Sequence, residues 1–166
     1  IRPVDLHLKG LKALGASITI DGGYVVARTQ RLIGEHVYLG GEYGSSVLAT
    51  DNVMMAAALA RGKTVIESAA CEPEVHDLGE FLIRMGARIK GHGTPIIEIE
   101  GVNHLHGTEH TIIPDRIEAG TFMIASLITA GDIQVRNVHP QHMGALIDKL
   151  KEAGVSVLTS NNSIRL

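Results

Sequence analysis

The 166-residue sequence predicts an α/β protein built from a repeated unit of strand, helix, strand, helix and two strands. Three segments carry the same order of elements, namely an amphipathic helix, a glycine stop and a hairpin of two strands. The stops are at Gly15, Gly86 and Gly154, where a helix C-terminus accepts a left-handed residue. Gly62 and Gly131 are spaced almost as Gly86 and Gly154 are, which indicates a duplicated unit rather than a chance pattern.

The chain begins with half of such a unit. Its apolar spacing predicts a helix over 4–14, followed by strands over 17–20 and 24–27. The Asp-Gly-Gly sequence at 21–23 supplies the residues that a tight hairpin turn needs.

Two whole units follow. The first is predicted as strand 36–39, a helix over about 50–61, strand 64–67, helix 75–85, and strands 87–90 and 96–100. The second is predicted as strand 110–113, a helix over about 115–129, strand 133–136, helix 142–152, and strands 155–158 and 163–166. Each hairpin has Gly, Asn or Asp in its turn.

The two helices of a whole unit differ in kind. The later one places Leu78, Phe81, Leu82 and Met85 on one face, as a helix lying on a sheet does. The earlier one is apolar nearly all round, so we expect burial on every side. Its first-turn amides then need a cap or an anionic ligand, which predicts anion sites near 45–50 and 114–121.

Composition excludes several classes of function. The 15 Lys and Arg against 18 Asp and Glu give a net charge of −3, and aromatic residues make up only 3%. Neither a basic surface nor a stacking platform for nucleic acid is expected. The longest apolar run, 53–60, is too short to span a bilayer. We therefore expect no membrane partner and a cytoplasmic location, and the start at Ile1-Arg2-Pro3 suggests a piece of a longer protein.

The candidate sites lie where helices begin. The Gly- and Ser-rich stretch 40–50 either holds a phosphate or is a flexible connection that ends in a Ser or Thr cap. Arg2 and Asp5 flank the first helix start, where Asp5 also favours the helix dipole. Asp115 can cap the helix after Pro114, and Arg116 there either pairs with a carboxylate or binds an anion.

Other chemistry-bearing residues have plainer interpretations. Glu72 before a helix complements its dipole, and Cys71 lacks a recognisable base, so we expect an inert thiol. No spacing typical of a metal site is recognised, so no metal is expected and the loop histidines are predicted to be exposed. These histidines are His104, His106, His110, His139 and His142.

Several motifs together resemble the enolpyruvyl transferase family. They are RPVDLH at 2–7, SVLAT at 46–50, EPE at 72–74 and PDRIEAGT at 114–121. The resemblance covers essentially the whole chain and is closer to the enzymes that act on UDP-N-acetylglucosamine. It implies an inside-out α/β barrel of two globular domains made from six such units. Residues 1–113 would belong to the first domain and 114–166 to the second.

The resemblance also implies an activity. Phosphoenolpyruvate would give its enolpyruvyl group to the 3'-hydroxyl of UDP-N-acetylglucosamine and release phosphate, in peptidoglycan precursor synthesis for cell-wall growth and division. No cofactor is implied. Other catalytic parts of the family lie outside these residues, so we expect the remainder of the enzyme to be needed for activity. The alternatives are a 3-phosphoshikimate 1-carboxyvinyltransferase-like enzyme and a non-catalytic repeat scaffold.

Residue roles follow from the same resemblance. Arg2 would contact the phosphate of a substrate, and Pro3, Val4 and Asp5 would line the uridine pocket. The diphosphate would be held at the helix start by Ser46, Val47 and Leu48. A third group, Glu72, Asp115 and Arg116, would lie near the crossing between the two domains. Leu48 stands where the family usually has glycine and Cys71 where it often has arginine, so the geometry at both positions differs from the common pattern.

Overall fold

The computed structural model describes residues 3–166, which divide into two units at the boundary between Thr111 and Ile112. Unit 1 contains α1 (Asp5–Ala13), β1 (Ser17–Asp21), β2 (Tyr24–Arg28), β3 (His36–Tyr38), α2 (Val47–Ala58), β4 (Lys63–Glu67), α3 (Pro73–Arg84), β5 (Arg88–Lys90) and β6 (Ile96–Glu100). Unit 2 contains α4 (Arg116–Ile128), β7 (Gln134–Arg136), a 3-10 turn (Pro140–Met143), α5 (Gly144–Glu152), β8 (Leu158–Thr159) and β9 (Ser163–Arg165). None of these helices has the length and hydrophobicity that a membrane crossing requires.

The sheets repeat one arrangement of strands. In unit 1 the order is β3-β4-β6-β5, and β3 pairs with β4 in parallel through the α2 crossover. The order β7-β9-β8 in unit 2 reproduces β4-β6-β5, with the same antiparallel pairings. The hairpin β1–β2 corresponds to β5–β6, as the repeat predicts. The residues form a mixed α/β fold in which the predicted order of elements is met except at 110–113, where no strand forms.

Buried and exposed side chains alternate along the strands of unit 1, and the buried ones form a core between the sheet and α2. Ile66 lies opposite Ile97 and Thr64 lies opposite Ile99 in the β4–β6 register, and all four are fully buried. Their neighbours along each strand face outwards and include Lys63 and Glu98, whose side chains pair at 2.9 Å.

The three predicted glycine stops end α1, α3 and α5 in one hydrogen-bond pattern. Gly15, Gly86 and Gly154 have φ of 93°, 102° and 85°, a region that glycine occupies at little cost. In each case the glycine N–H donates to the carbonyl three residues back, and the next N–H donates to the carbonyl five residues back. These two hydrogen bonds together form the Schellman motif, and they confirm the predicted helix ends.

The α4 helix ends differently from the prediction. The left-handed residue is Ala130, with a φ of 51°, rather than Gly131. The N–H of Gly131 donates to the Ser126 carbonyl at 2.8 Å, so Gly131 occupies the position after the left-handed residue.

Three predicted elements have different bounds. The expected strand 110–113 is wrong, because this segment forms no ladder and is instead fixed at His110, whose ring bonds to Asp77 at 3.0 Å. The strand predicted at 155–158 is reduced to Leu158–Thr159, which pairs only with the end of β9. Helix α2 begins at Val47 because Ser46, rather than a later residue, is its cap.

The two apolar helices bury one face and expose another, so the expectation of burial on every side is not met within the described residues. In α2, Val53 and Met54 are fully buried, whereas Met55 and Leu59 are 44% and 47% exposed. In α4, Met123 is fully buried and Ile128 is 78% exposed. The physical reason is that the elements packed against each helix within its own unit cover only part of its circumference.

Helix α1 packs closely on α2 at a single small residue. Gly10 is buried, and a Cβ there would collide with the Cγ2 of Val53 in α2. Because Val53 is itself fully buried in the core, its side chain has little room to move aside. The separation between α1 and α2 is therefore set by the absence of a side chain at position 10.

Gly10→Ala is predicted to destabilise unit 1 by about 1–3 kcal/mol through overpacking against Val53. The measurement is urea-induced unfolding followed by circular dichroism. Gly107→Ala is the control, since a Cβ at this exposed position in the same unit would meet nothing within 4 Å. Unfolding of Gly10→Ala that is indistinguishable from the control would show that the helices can separate without penalty.

Candidate functional site

The start of α2 is a helix terminus with unused donors. Ser46 adopts an extended conformation, and its Oγ accepts a hydrogen bond from the Ala49 N–H at 3.3 Å. The first backbone bond of the helix runs from the Thr50 N–H to the Ser46 carbonyl at 2.9 Å. A helix offers no backbone acceptor to its first N–H groups, so the amides of Val47 and Leu48 can bind an anion.

No acidic residue lies in the first turn of α2, so the partial positive charge of the terminus is not neutralised there. Ser46 and Val47 are half-buried, and Leu48 is 60% exposed. The side chain that replaces the usual family glycine therefore points towards solvent and displaces none of the core. Leucine at this position keeps its backbone N–H, so the groups that can donate hydrogen bonds to an anion at this terminus are still the backbone N–H groups.

Thr50 ties the first turn of α2 to the chain before α3. It is fully buried, and its Oγ1 accepts a hydrogen bond from the Ala70 N–H at 3.0 Å. This bond places segment 70–74 beside the start of α2. The predicted site residue Glu72, which is half-buried at the N-cap position of α3, is thereby brought close to the helix terminus.

Three carboxylates gather at this junction. Asp51 is half-buried, and its Oδ1 is buried with no hydrogen-bond partner among the described residues. Burial, followed by the nearby charges of Glu74 and Glu72, raises the pKa of Asp51 to about 6. Asp51 can therefore carry a proton at a pH only slightly below neutral, where an ordinary aspartate is ionised.

The beginning of α1 lies beside the first half of α2. His7 Nδ1 and Asn52 Nδ2 are 2.6 Å apart. One turn further along α1, Gly10 lies directly against Val53 of α2. Pro3, Val4 and Asp5, the predicted uridine-pocket residues, are all exposed at this end of α1. Arg2, the predicted phosphate contact, lies outside the described residues.

The structure thus brings together residues 3–7 of the first motif, the SVLAT motif and segment 70–74 within unit 1. Sequence reasoning missed the participation of Asp51, Thr50 and the His7–Asn52 bond. Asp51 had a sequence signal, because an acidic residue inside an otherwise apolar helix is unusual, but the partners that alter its pKa come from another segment.

The predicted site residues of unit 2 lie at the start of α4. Asp115 caps the helix, and its Oδ1 accepts hydrogen bonds from the N–H groups of Ile117 at 2.7 Å and Glu118 at 3.0 Å. This confirms the predicted cap. Asp115 also lines a cavity of about 310 Å³ between α4 and β7, and Arg116 lines another of about 270 Å³ between α4 and α5.

The prediction of exposed loop histidines is wrong for His110. Its side chain is only 9% exposed, bonds to Asp77 and lies 5.0 Å from the Phe81 ring, because the chain after β6 packs against α3. His139 and His142 are half-buried and contact each other edge to face at 5.0 Å. His104 and His106 are exposed as expected.

Two further features concern reactive groups. Partial burial, and then Glu72, raise the pKa of Cys71, so its thiol stays protonated at neutral pH, in agreement with the expected inert role. Elsewhere in unit 1, His76, Glu80 and His92 come together where α3 meets the β5–β6 turn. Sequence reasoning did not single out this cluster.

Comparison with known proteins gives consistent matches over the whole chain. The sequence model of the EPSP synthase (3-phosphoshikimate 1-carboxyvinyltransferase) family matches residues 1–166. A UDP-N-acetylglucosamine 1-carboxyvinyltransferase of Methylacidiphilum infernorum is 53% identical over 165 residues, which are 99% of this chain and 39% of that protein. UDP-N-acetylglucosamine 1-carboxyvinyltransferase 1 of Caldanaerobacter subterraneus subsp. tengcongensis is 54% identical over the same shares. The chain therefore spans about two fifths of the length of these relatives.

A solved structure matches the fold. The enolpyruvyl transferase NikO from Streptomyces tendae superimposes with a TM-score of 0.83 over 99% of this chain and 42% of its own, at 22% sequence identity. The residues described above therefore have the α/β fold of the matching part of that protein.

Asp51→Asn is predicted to raise the free energy of unfolding more at pH 7.5 than at pH 3.5. The folded-state pKa of about 6 exceeds the ordinary value of 3.8, so ionisation of Asp51 lowers stability progressively between these values. Above pH 6 this loss of stability is complete. Because the variant carries no charge at this position, its free energy of unfolding is higher by about 1–2 kcal/mol, a value reduced to allow for solvent screening. Urea unfolding at both pH values measures the difference.

Asp132→Asn is the control, because its effect on stability at pH 7.5 should be opposite to that of Asp51→Asn. Arg165 binds Asp132 at 2.8 Å and lowers its pKa, so ionised Asp132 contributes stability above pH 3.8 that is lost as the pH falls. This variant should lose stability at pH 7.5 and not at low pH. An Asp51→Asn variant that is less stable than the wild type at pH 7.5 would contradict the raised pKa.

Proposed function

Since the chain belongs to the EPSP synthase family of enolpyruvyl transferases, we propose that its residues form part of an enzyme that transfers the enolpyruvyl group of phosphoenolpyruvate to the 3'-hydroxyl of UDP-N-acetylglucosamine. Phosphate is the other product, and the step belongs to peptidoglycan precursor synthesis and thereby serves cell-wall growth and division. We place the enzyme in the cytoplasm, where such nucleotide sugars are made. No cofactor is proposed.

The observation that carries this proposal is the junction of the α1 and α2 starts. Exposed Pro3, Val4 and Asp5 lie at the end of α1 that is bonded to α2 through His7 and Asn52. The amides of Val47 and Leu48 are available nearby at a helix terminus. A surface for a nucleoside beside donors for a diphosphate matches the two parts of a nucleotide sugar.

The choice of acceptor rests on the sequence relatives. The family's printed name refers to 3-phosphoshikimate, whereas the proteins that are 53% and 54% identical are named for UDP-N-acetylglucosamine. A 3-phosphoshikimate 1-carboxyvinyltransferase-like enzyme and a non-catalytic scaffold remain as the competing candidates. The hydroxyl and backbone donors at Ser46, Val47 and Leu48 support a substrate that carries a diphosphate.

The roles of the individual residues are part of the proposal. Ser46 and the backbone of Val47 and Leu48 hold the diphosphate, with attraction from a helix dipole that no acidic residue of the first turn compensates. Pro3, Val4 and Asp5 contact the uridine. Arg2 binds a substrate phosphate, for which a guanidinium fork that stays charged at all relevant pH values is suited.

Glu72, Asp115 and Arg116 are proposed as further substrate-facing groups. For Glu72 the support is its place among carboxylates close to the α2 terminus. For Asp115 and Arg116 it is that each lines a cavity at the start of α4. We further propose that residues 1–113 and 114–166 belong to the two globular domains of the enzyme, whose remaining length completes the active site.

Calorimetric titration of the complete enzyme with UDP-N-acetylglucosamine is the principal experiment. We expect binding, and we expect Ser46→Ala to weaken it by about 5- to 10-fold through loss of a hydroxyl contact and a preformed cap. Ser45→Ala, an exposed neighbour outside the helix, is the matched control. Thermal melting of both variants separates a loss of fold from a loss of contact.

Two results of this titration would overturn the acceptor assignment. Binding of shikimate 3-phosphate in place of the nucleotide sugar would favour the first competing candidate. Binding of neither compound by a cooperatively folded protein would favour the scaffold.

Arg2→Ala is predicted to lower kcat/KM of the complete enzyme by about 100-fold or more, because a charge-assisted contact to a phosphate is lost. Arg2→Lys should recover part of the rate, since it restores the charge but not the fork. Arg28→Ala, at an exposed position at the end of β2, is the control. Wild-type kinetics in Arg2→Ala would refute the assignment.

A further inference from the structure

We propose that His76, Glu80 and His92 bind a divalent transition-metal ion of the zinc class, which joins α3 to the β5–β6 turn. One ligand atom from each of the three side chains lies within 4.8 Å of the other two. Two imidazoles and a carboxylate form a donor set that zinc accepts in proteins. The cluster is separate from the α2 terminus, so the inference does not depend on the proposed function.

Two elements hold the donors on one side of unit 1. His76 and Glu80 are four residues apart on α3, so they lie on one face of the helix, one turn apart. His92 lies in the turn between β5 and β6, in which Gly91 and Gly93 have φ of 78° and 83°. The turn thereby brings His92 onto the same face of α3.

Glycines create the space in which the histidine rings lie. Gly79 is buried on α3 between the two helical donors, and a Cβ there would be 2.7 Å from the His92 ring. A Cβ on Gly93 would be 3.2 Å from the Cδ2 of His76. Side chains at either position would push the donors apart, so both glycines are needed for this arrangement.

The cluster is already partly assembled around Glu80. Its Oε1 is 2.8 Å from the Nε2 of His92, whose side chain is only 13% exposed. The His76 and His92 rings have centroids 4.8 Å apart at an angle of 39°. Tetrahedral zinc with bonds of about 2.1 Å separates its ligand atoms by about 3.4 Å. Binding therefore requires Glu80 and His92 to separate slightly and His76, whose side chain is exposed, to adjust its position.

The charge state of the donors suits a cation. The hydrogen bond from His92, and then the charges of His92, His76 and Arg84, lower the pKa of Glu80, so its carboxylate is ionised near neutral pH. A neutral imidazole has a ring nitrogen with a free electron pair that it can donate to a metal. The Nε2 of His92 is the ring nitrogen that faces Glu80, so it is the atom of this ring placed to bind the ion.

A metal-free interpretation is that the Glu80–His92 bond and the ring contact alone fasten the turn to α3. The two interpretations differ in what Co²⁺ and Zn²⁺ do to the protein. Three protein donors leave one tetrahedral position for water, and such a site gives Co²⁺ visible absorption bands that aqueous Co²⁺ lacks.

The test is titration of the chelator-treated full-length protein with Co²⁺, followed by absorption spectroscopy, and with Zn²⁺, followed by calorimetry and thermal melting. We expect one equivalent to bind at this site with a rise in Tm, and affinity to fall as the pH drops through the histidine range. His76→Ala should weaken binding by about 100-fold, because one of three ligands is removed from an exposed position with little effect on folding.

His104→Ala is the matched control, since it removes an exposed loop histidine of the same unit. Arg84→Gln removes a nearby positive charge and should tighten binding several-fold, an effect that a purely structural role for the cluster does not produce. The proposal is overturned if neither metal binds, or if binding is unchanged in His76→Ala. These readouts require no enzymatic activity, so failure here is distinguishable from failure of the proposed function.

Discussion

The burial of α2 against α1 and the sheet is the constraint on which the rest of unit 1 depends. Val53 and Met54 are fully buried, and the contact of Val53 with α1 tolerates no side chain at Gly10. A helix held so firmly fixes the position of its own N-terminus. It also fixes the exposed beginning of α1 beside it, and through Thr50 it fixes the chain that leads into α3. The candidate site is therefore a consequence of core packing rather than of a flexible Gly- and Ser-rich loop.

Comparison of the two repeats favours α2 over α4 as the helix start that would bind the proposed anion. Sequence reasoning expects donors at both helix starts. In α4 the Asp115 carboxylate accepts two first-turn N–H groups, and Glu118 adds a second acidic residue to that turn. In α2 a neutral Ser46 accepts one, and no acidic residue lies in the turn. The dipole of α4 is compensated from within, so an anion gains more at α2.

Local signals predicted the helices, hairpins and glycine stops, because a Schellman motif or a tight turn is specified by a few adjacent residues. Features set by distant partners could not be predicted in the same way. Ser46 and Thr50 are both good caps by residue type, and the choice of Ser46 follows from the bond between Thr50 and Ala70. Residues 110–113 have strand composition, yet His110 packs against Asp77 and Phe81 instead. His92 likewise reaches His76 only through the folded turn.

Electrostatics at the α2 start links ligand binding to protonation. Asp51 lies one turn beyond Val47 and already has a pKa of about 6, owing to burial and to Glu74 and Glu72. A diphosphate on the amides of Val47 and Leu48 would bring further negative charge to the same turn and raise that pKa again. Binding of the diphosphate would then be accompanied by proton uptake at Asp51 near neutral pH. The protonated carboxyl is neutral and would no longer repel the anion. A carboxylate cluster beside an anion site is thus compatible with binding because its most buried member does not have to be charged.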